Sequence, residues 1–133
     1  MVSCESGKAQ QTTQEDKMNN KIEIKSTSIL NHDFLECMYS DSYFPTFLVD
    51  KCKIILENLC VAIEANSPRS LDELYTLTHS STNEINNLQE EFFQNNSEIE
   101  TGARECLAED FEFISKAYGF EADVEELIAT REW

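Results

Sequence analysis

Glycine and proline are scarce in this chain, three and two residues among 133. A sheet protein turns often and draws on both at its turns, so the shortage argues against an all-β architecture. Positive charge is scarce too: ten Lys and Arg face 26 Asp and Glu, a formal net charge of −16. Such a field repels phosphate backbones and anionic membranes, so nucleic acid is not an expected partner. No segment approaches the ~18 uninterrupted apolar residues of a membrane helix, and the first residues lack the apolar core of a secretory signal. No membrane insertion is expected. There is no CxxC pair for a zinc knuckle or a thioredoxin-type couple, no Gly-rich phosphate loop, and no Gly-x-Ser-x-Gly elbow.

What is present points to one small domain. The length leaves no room for a second domain, and 41% apolar residues suffice for one core. Residues 1–20 are polar and without periodicity, the composition of a disordered tail; residues 21–133 carry the folded domain. The five cysteines are Cys4, Cys37, Cys52, Cys60 and Cys106. Cys52 and Cys60 are eight residues apart on one predicted helix, a rise of about 12 Å and beyond disulfide reach. Their odd number and apolar settings lead us to expect buried free thiols and a reducing, cytoplasmic location. Met1-Val2-Ser3-Cys4 also matches the end of a lipobox, which gives lipid anchoring through Cys4 as the alternative, if the true start lies upstream.

Helical periodicity dominates the remainder. Phe34, Leu35, Met38 and Tyr39 follow Asn31 and predict a short helix near 31–40. Pro45 suits the first turn of the next helix, where Leu48, Cys52, Ile55, Leu56, Leu59, Cys60 and Ile63 form one stripe ending near Asn66. Ser70 to Glu73 reads as a capping box. Its helix carries Leu71, Leu74, Tyr75, Thr78, Ile85, Leu88 and Phe92, and Asn95-Asn96 ends it. Ser97 to Glu100 reads as a second box before Ile99, Ala103, Cys106, Leu107, Phe111, Ile114, Ala117 and Tyr118, with Gly119 as a left-handed cap. Asp123 to Glu126 is a third, and Trp133 is expected to fold back. The fold class is all-α: an antiparallel bundle of three long helices plus one or two short ones.

Several stretches have a familiar combination of residues. They are Met38-Tyr39-Ser40-Asp41-Ser42-Tyr43-Phe44-Pro45, Leu74-Tyr75 with Thr78-His79, Ser97-Glu98-Ile99-Glu100-Thr101, Ala103-Arg104-Glu105, Glu109-Asp110-Phe111 and Tyr118-Gly119. Over about residues 30–133 the chain resembles a family of short bacterial all-helical proteins of unknown function. The resemblance implies a bacterial source and a soluble helical protein. It brings no catalytic residue or ligand with it.

Candidate chemistry is thin. Neither His32 nor His79 follows a Glu by three residues, so the di-metal bundle motif is absent, and no metal or cofactor is expected. Glu105, Glu109 and Asp110 share a helix, but carboxylates at such spacing suit a solvated face. His79 lies in a hydroxyl-rich stretch, Thr78 to Thr82, and reads as an interface histidine. Cys52, Cys60 and Cys106 fall on apolar stripes and read as core. The connection holding Tyr39, Asp41, Tyr43, Phe44 and Phe47 either anchors a partner or plugs the end of the bundle, and plugging is favoured. Glu98, Glu100 and Arg104 form a second polar candidate.

The resulting expectation is a non-catalytic interaction module, a monomer or homodimer, binding a macromolecular protein partner, with a basic one as the candidate. The alternative is a small-ligand protein or enzyme with a pocket around Tyr43, His79, Arg104 and Glu105, with Asp110 as a further acid. An exposed aromatic patch beside clustered carboxylates favours the first, and a cleft collecting His79, Arg104 and an acid favours the second.

Overall fold

The computed structural model describes residues 24–133. The expected polar tail, with Cys4, lies outside the described residues. Within them the ordered elements are all helical: α1 Thr27–Leu30, α2 Glu36–Tyr39, α3 Thr46–Asn66, α4 Leu71–Asn86, α5 Gln89–Gln94, α6 Thr101–Ala117 and α7 Val124–Leu127. Helix α3 packs on α4; α6 packs against α1, α2 and α7, and α7 also meets α4.

The long helix α3 follows its stripe. Leu48, Cys52, Ile55, Leu56, Leu59, Cys60 and Ile63 are buried, together with Val49. Pro45 sits one position outside the helix, with its carbonyl accepting from Leu48 and Val49. Ser67, at φ 47°, ends it before Pro68. On α4 the Ser70 hydroxyl accepts from the Glu73 amide at 3.2 Å, and the Glu73 carboxylate accepts from the Arg69 amide at 2.8 Å. The hydroxyl-rich stretch faces inward: Thr78, Ser81 and Thr82 are buried, and Thr82 Oγ1 donates to the Thr78 carbonyl at 2.9 Å. Gly119 takes φ 87° after α6, and the Phe120 amide reaches the Ser115 carbonyl at 2.9 Å. That bond back to an otherwise orphan carbonyl closes the helix.

Three expected elements differ. The helix near 31–40 shortens to α2 because Leu35 is left-handed, φ 59°, and its amide bonds Asp110 Oδ2 at 2.7 Å rather than a helical carbonyl. The helix expected to run to Phe92 divides into α4 and α5. There Asn86 turns to the chain end, donating to the Thr130 carbonyl at 3.0 Å and accepting from the Glu132 amide at 2.9 Å. Ser97 to Glu100 is not a capping box: α6 starts at Thr101, Glu100 has extended backbone, and Ser97 is buried.

The cysteines require a correction. Cys37 and Cys106 form a disulfide across 69 residues, their Cα atoms 6.2 Å apart, because α2 packs against α6. Spacing along one helix governs pairs such as Cys52 and Cys60, but not pairs brought together by tertiary packing. Cys52 and Cys60 are buried free thiols, as expected, and burial pushes each up to about 12. The disulfide removes the cysteine argument for a reducing compartment. Among the described residues no helix is long and apolar enough to cross a membrane.

Candidate interaction face

The connection between α2 and α3 divides its aromatics between core and surface. Asp41 Oδ1 accepts from the Tyr43 amide at 2.9 Å and the Asp41 carbonyl from the Phe44 amide at 3.1 Å, which fixes the turn. Phe44 then points inward at 9% exposure, whereas Tyr43 and Phe47 stay 44% and 48% exposed. Tyr39 is half-buried, and its hydroxyl donates to Asp50. Burial first, and then this carboxylate, hold the Tyr39 phenol well above its ordinary range.

Across from this turn, α5 presents Phe93 at 67% exposure. Two links join the elements. Lys51 on α3 pairs with Glu91 on α5 at 2.7 Å, and the same ammonium lies 6.0 Å from the centre of the Phe47 ring. Gln89, Glu90 and Phe93 line a shallow hollow of about 320 Å³ with Glu98 and Ile99. Partial burial, then Glu100 and Glu98, raise the Tyr43 phenol, which places the tyrosine beside the same carboxylates. Glu98 itself is raised, by hydrogen bonding to Glu100 and by its negative charge. Two neighbouring carboxylates that repel one another in this way form a site that gains from an incoming cation.

The other expected residues separate from this face. His79 Nε2 donates to the Glu126 carbonyl at 2.7 Å and its ring stacks on Tyr75 at 6.1 Å. Arg104 Nε donates to the main-chain oxygen of Trp133 at 3.2 Å. Both therefore hold the C-terminal segment against α4 and α6. Glu105 and Glu109 are exposed on α6.

Asp110, read from sequence as part of a solvated face, is instead turned inward and 7% exposed. Its Oδ1 accepts from His32 Nε2 at 2.8 Å, and the imidazole stacks on Phe113, ring centres 3.9 Å apart. His32, Asp110, Cys37 and Cys106 line one pocket of about 410 Å³ with Asp33, Glu36, Ser40 and Glu109. Among the described residues no group of three or more His, Cys, Asp or Glu is arranged to hold a metal ion.

Sequence reasoning missed Phe93 and the His32–Asp110 pair. Phe93 had a signal, since it lies beside Phe92 and off the apolar stripe. His32 had none, because its partner is 78 residues away.

No curated protein and no solved structure matches the chain. A family model does: the chain belongs to a family of unknown function, DUF5713, whose model matches residues 28–133.

Proposed function

We propose that the chain is a non-catalytic interaction module that binds a basic protein segment on the face formed by Tyr43, Phe47 and Phe93 with Glu90, Glu98 and Glu100. The antiparallel bundle expected from the helix spacing is the scaffold in this reading. The observation that carries it is the exposure of three large aromatics, two of them beside Glu98: Phe93 lines the same hollow and Tyr43 feels its charge. Aromatic side chains are enriched at interface centres, where they bury large area at little entropic cost. The carboxylates add selection for Lys or Arg, and the net charge of −16 steers such a partner from a distance. A Lys or Arg side chain docking between Glu98 and Glu100 relieves their mutual repulsion. His79 and Arg104 in structural contacts with the chain end weigh against the alternative pocket.

The test is affinity capture from extracts of the native host with wild-type protein, Phe93→Ala, and Glu98→Lys/Glu100→Lys, followed by mass spectrometry. A basic partner retained by wild type is expected to weaken at least about tenfold with Phe93→Ala, the ordinary effect of removing an interface anchor. The double charge reversal is expected to abolish retention and the wild-type complex to weaken with salt. A partner held equally by all three proteins would overturn the reading.

A further inference from the structure

We propose that the Cys37–Cys106 disulfide is a thiol-exchange site, at which a neutral or cationic dithiol attacks Cys37 Sγ and the carboxylate rim excludes anionic thiols. Three features converge here. The two cysteines differ in access: Cys37 is exposed, whereas Cys106 is 3% exposed. A pocket of about 410 Å³ opens onto both, giving an attacking sulfur an approach to the bond. Its rim carries Asp33, Glu36 and Glu109, all exposed, and the carboxylate of Asp110 lies behind it, engaged by His32 and the Leu35 amide.

The chemistry follows from the asymmetry. Thiol–disulfide exchange needs the incoming thiolate in line with the S–S bond, so access decides which sulfur is attacked. A thiolate forms a bond to Cys37 Sγ, the Sγ–Sγ bond breaks, and Cys106 leaves with the electron pair and takes a proton from water. The second thiol of the dithiol then attacks its own sulfur in the mixed disulfide and releases Cys37. Two electrons pass from the dithiol to the protein, leaving an oxidised dithiol and two protein thiols. With a monothiol the mixed disulfide stops on Cys37, next to Cys106 as the resolving thiol. Anionic thiols meet the repulsion of the rim and slow down, an effect that salt screens. Cys52 and Cys60 are buried away from this chemistry and act as internal controls.

The experiment uses the full chain carrying Cys4→Ser, oxidised, with cysteamine, 2-mercaptoethanol or 2-mercaptoethanesulfonate as probe. Adducts are trapped with acid and mapped by mass spectrometry. The expected adduct is on Cys37, and cysteamine is expected to react at least about tenfold faster than the sulfonate once thiolate fractions are equalised, the gap closing at high salt. Asp33→Asn/Glu36→Gln/Glu109→Gln is expected to narrow the gap without moving the adduct. Dithiothreitol should reduce the bond under conditions where the fold persists by circular dichroism. An adduct on Cys106, rates indifferent to probe charge, or reduction only after denaturation would each overturn the proposal.

Discussion

His32 and Asp110, 78 residues apart in the chain, meet with Nε2 and Oδ1 2.8 Å apart. The other carboxylate oxygen accepts from the buried Leu35 amide at 2.7 Å. One side chain on α6 therefore fixes both the imidazole and the left-handed residue that precedes α2. A left-handed Leu costs roughly 1–3 kcal/mol, and that cost persists only where surrounding contacts over-determine it. Asp110→Ala leaves the Leu35 N–H buried without its acceptor and is expected to destabilise by about 2–4 kcal/mol. Asp110→Asn keeps an acceptor and is expected to lose about half as much. Urea unfolding of the three proteins checks this ordering; an Asn variant as unstable as the Ala variant would assign the effect to charge instead of to the Leu35 bond.

Glu64 joins three parts of the chain. Its carboxylate accepts from the Lys25 amide at 2.9 Å, the Ser26 amide at 3.1 Å and the Tyr118 hydroxyl at 2.6 Å. Partial burial pushes its pKa up, but the Tyr118 hydroxyl and the two amides outweigh this and hold it below its ordinary value of 4.5. A carboxyl lowered in the folded state stabilises fully above its unfolded value, and that stability disappears as pH falls through the lower folded value. The wild type is expected to lose stability across this acid window more steeply than Glu64→Gln. Thermal melts at a series of pH values read the difference, and parallel curves would remove Glu64 as a cause.

The helix reading transferred well wherever local signals decide. The α3 stripe, the Ser70 cap and the Gly119 turn depend on neighbours within one or two turns, and spacing alone exposes them. The elements that differed are those settled by distant partners. Asp110 delays the start of a helix to Glu36 by holding Leu35, Asn86 interrupts one by bonding Thr130 and Glu132, and packing of α2 on α6 pairs Cys37 with Cys106. Carboxylates at helical spacing look alike in sequence, so nothing separated the inward Asp110 from the exposed Glu105 and Glu109. Spacing leaves the Tyr39 to Pro45 connection open between anchoring a partner and plugging the bundle, because the inward Phe44 and outward Tyr43 and Phe47 follow from the Asp41 turn, which sets each direction.

Glu98 has a like-charged neighbour in Glu100. Hydrogen bonding to Glu100, and its charge, raise Glu98 above its ordinary value. A carboxyl raised in the folded state opposes folding once pH exceeds its unfolded value, and protonation relieves it as pH falls below the folded value. Glu100→Gln removes the like charge. It is expected to return the Glu98 midpoint, followed by carboxyl carbon NMR, toward the ordinary range and to shift nothing at Glu64. An unchanged Glu98 midpoint would mean that Glu100 is not the cause of the rise.

Trp133 anchors the chain end by shape more than by its polar group. The residue is 8% exposed, its main-chain oxygen accepts from Arg104 Nε at 3.2 Å, and its indole Nε1 has no hydrogen-bond partner. Removing an aromatic side chain from a packed site costs about 3–5 kcal/mol, so Trp133→Ala is expected to be the most damaging change in this segment. Trp133→Phe keeps an aromatic ring and deletes an N–H that was unsatisfied, which offsets part of the lost volume; the expected cost is about 1 kcal/mol. His79→Ala loses the bond to the Glu126 carbonyl and is expected to cost a similar ~1 kcal/mol. Because His79 and Trp133 both hold the segment after α6, His79→Ala/Trp133→Ala is expected to cost less than the sum of the single changes: once one hold is gone, the segment releases and the other has less to keep. Chemical denaturation of the four variants measures these values. Strict additivity would show that the two residues act on separate parts of the fold.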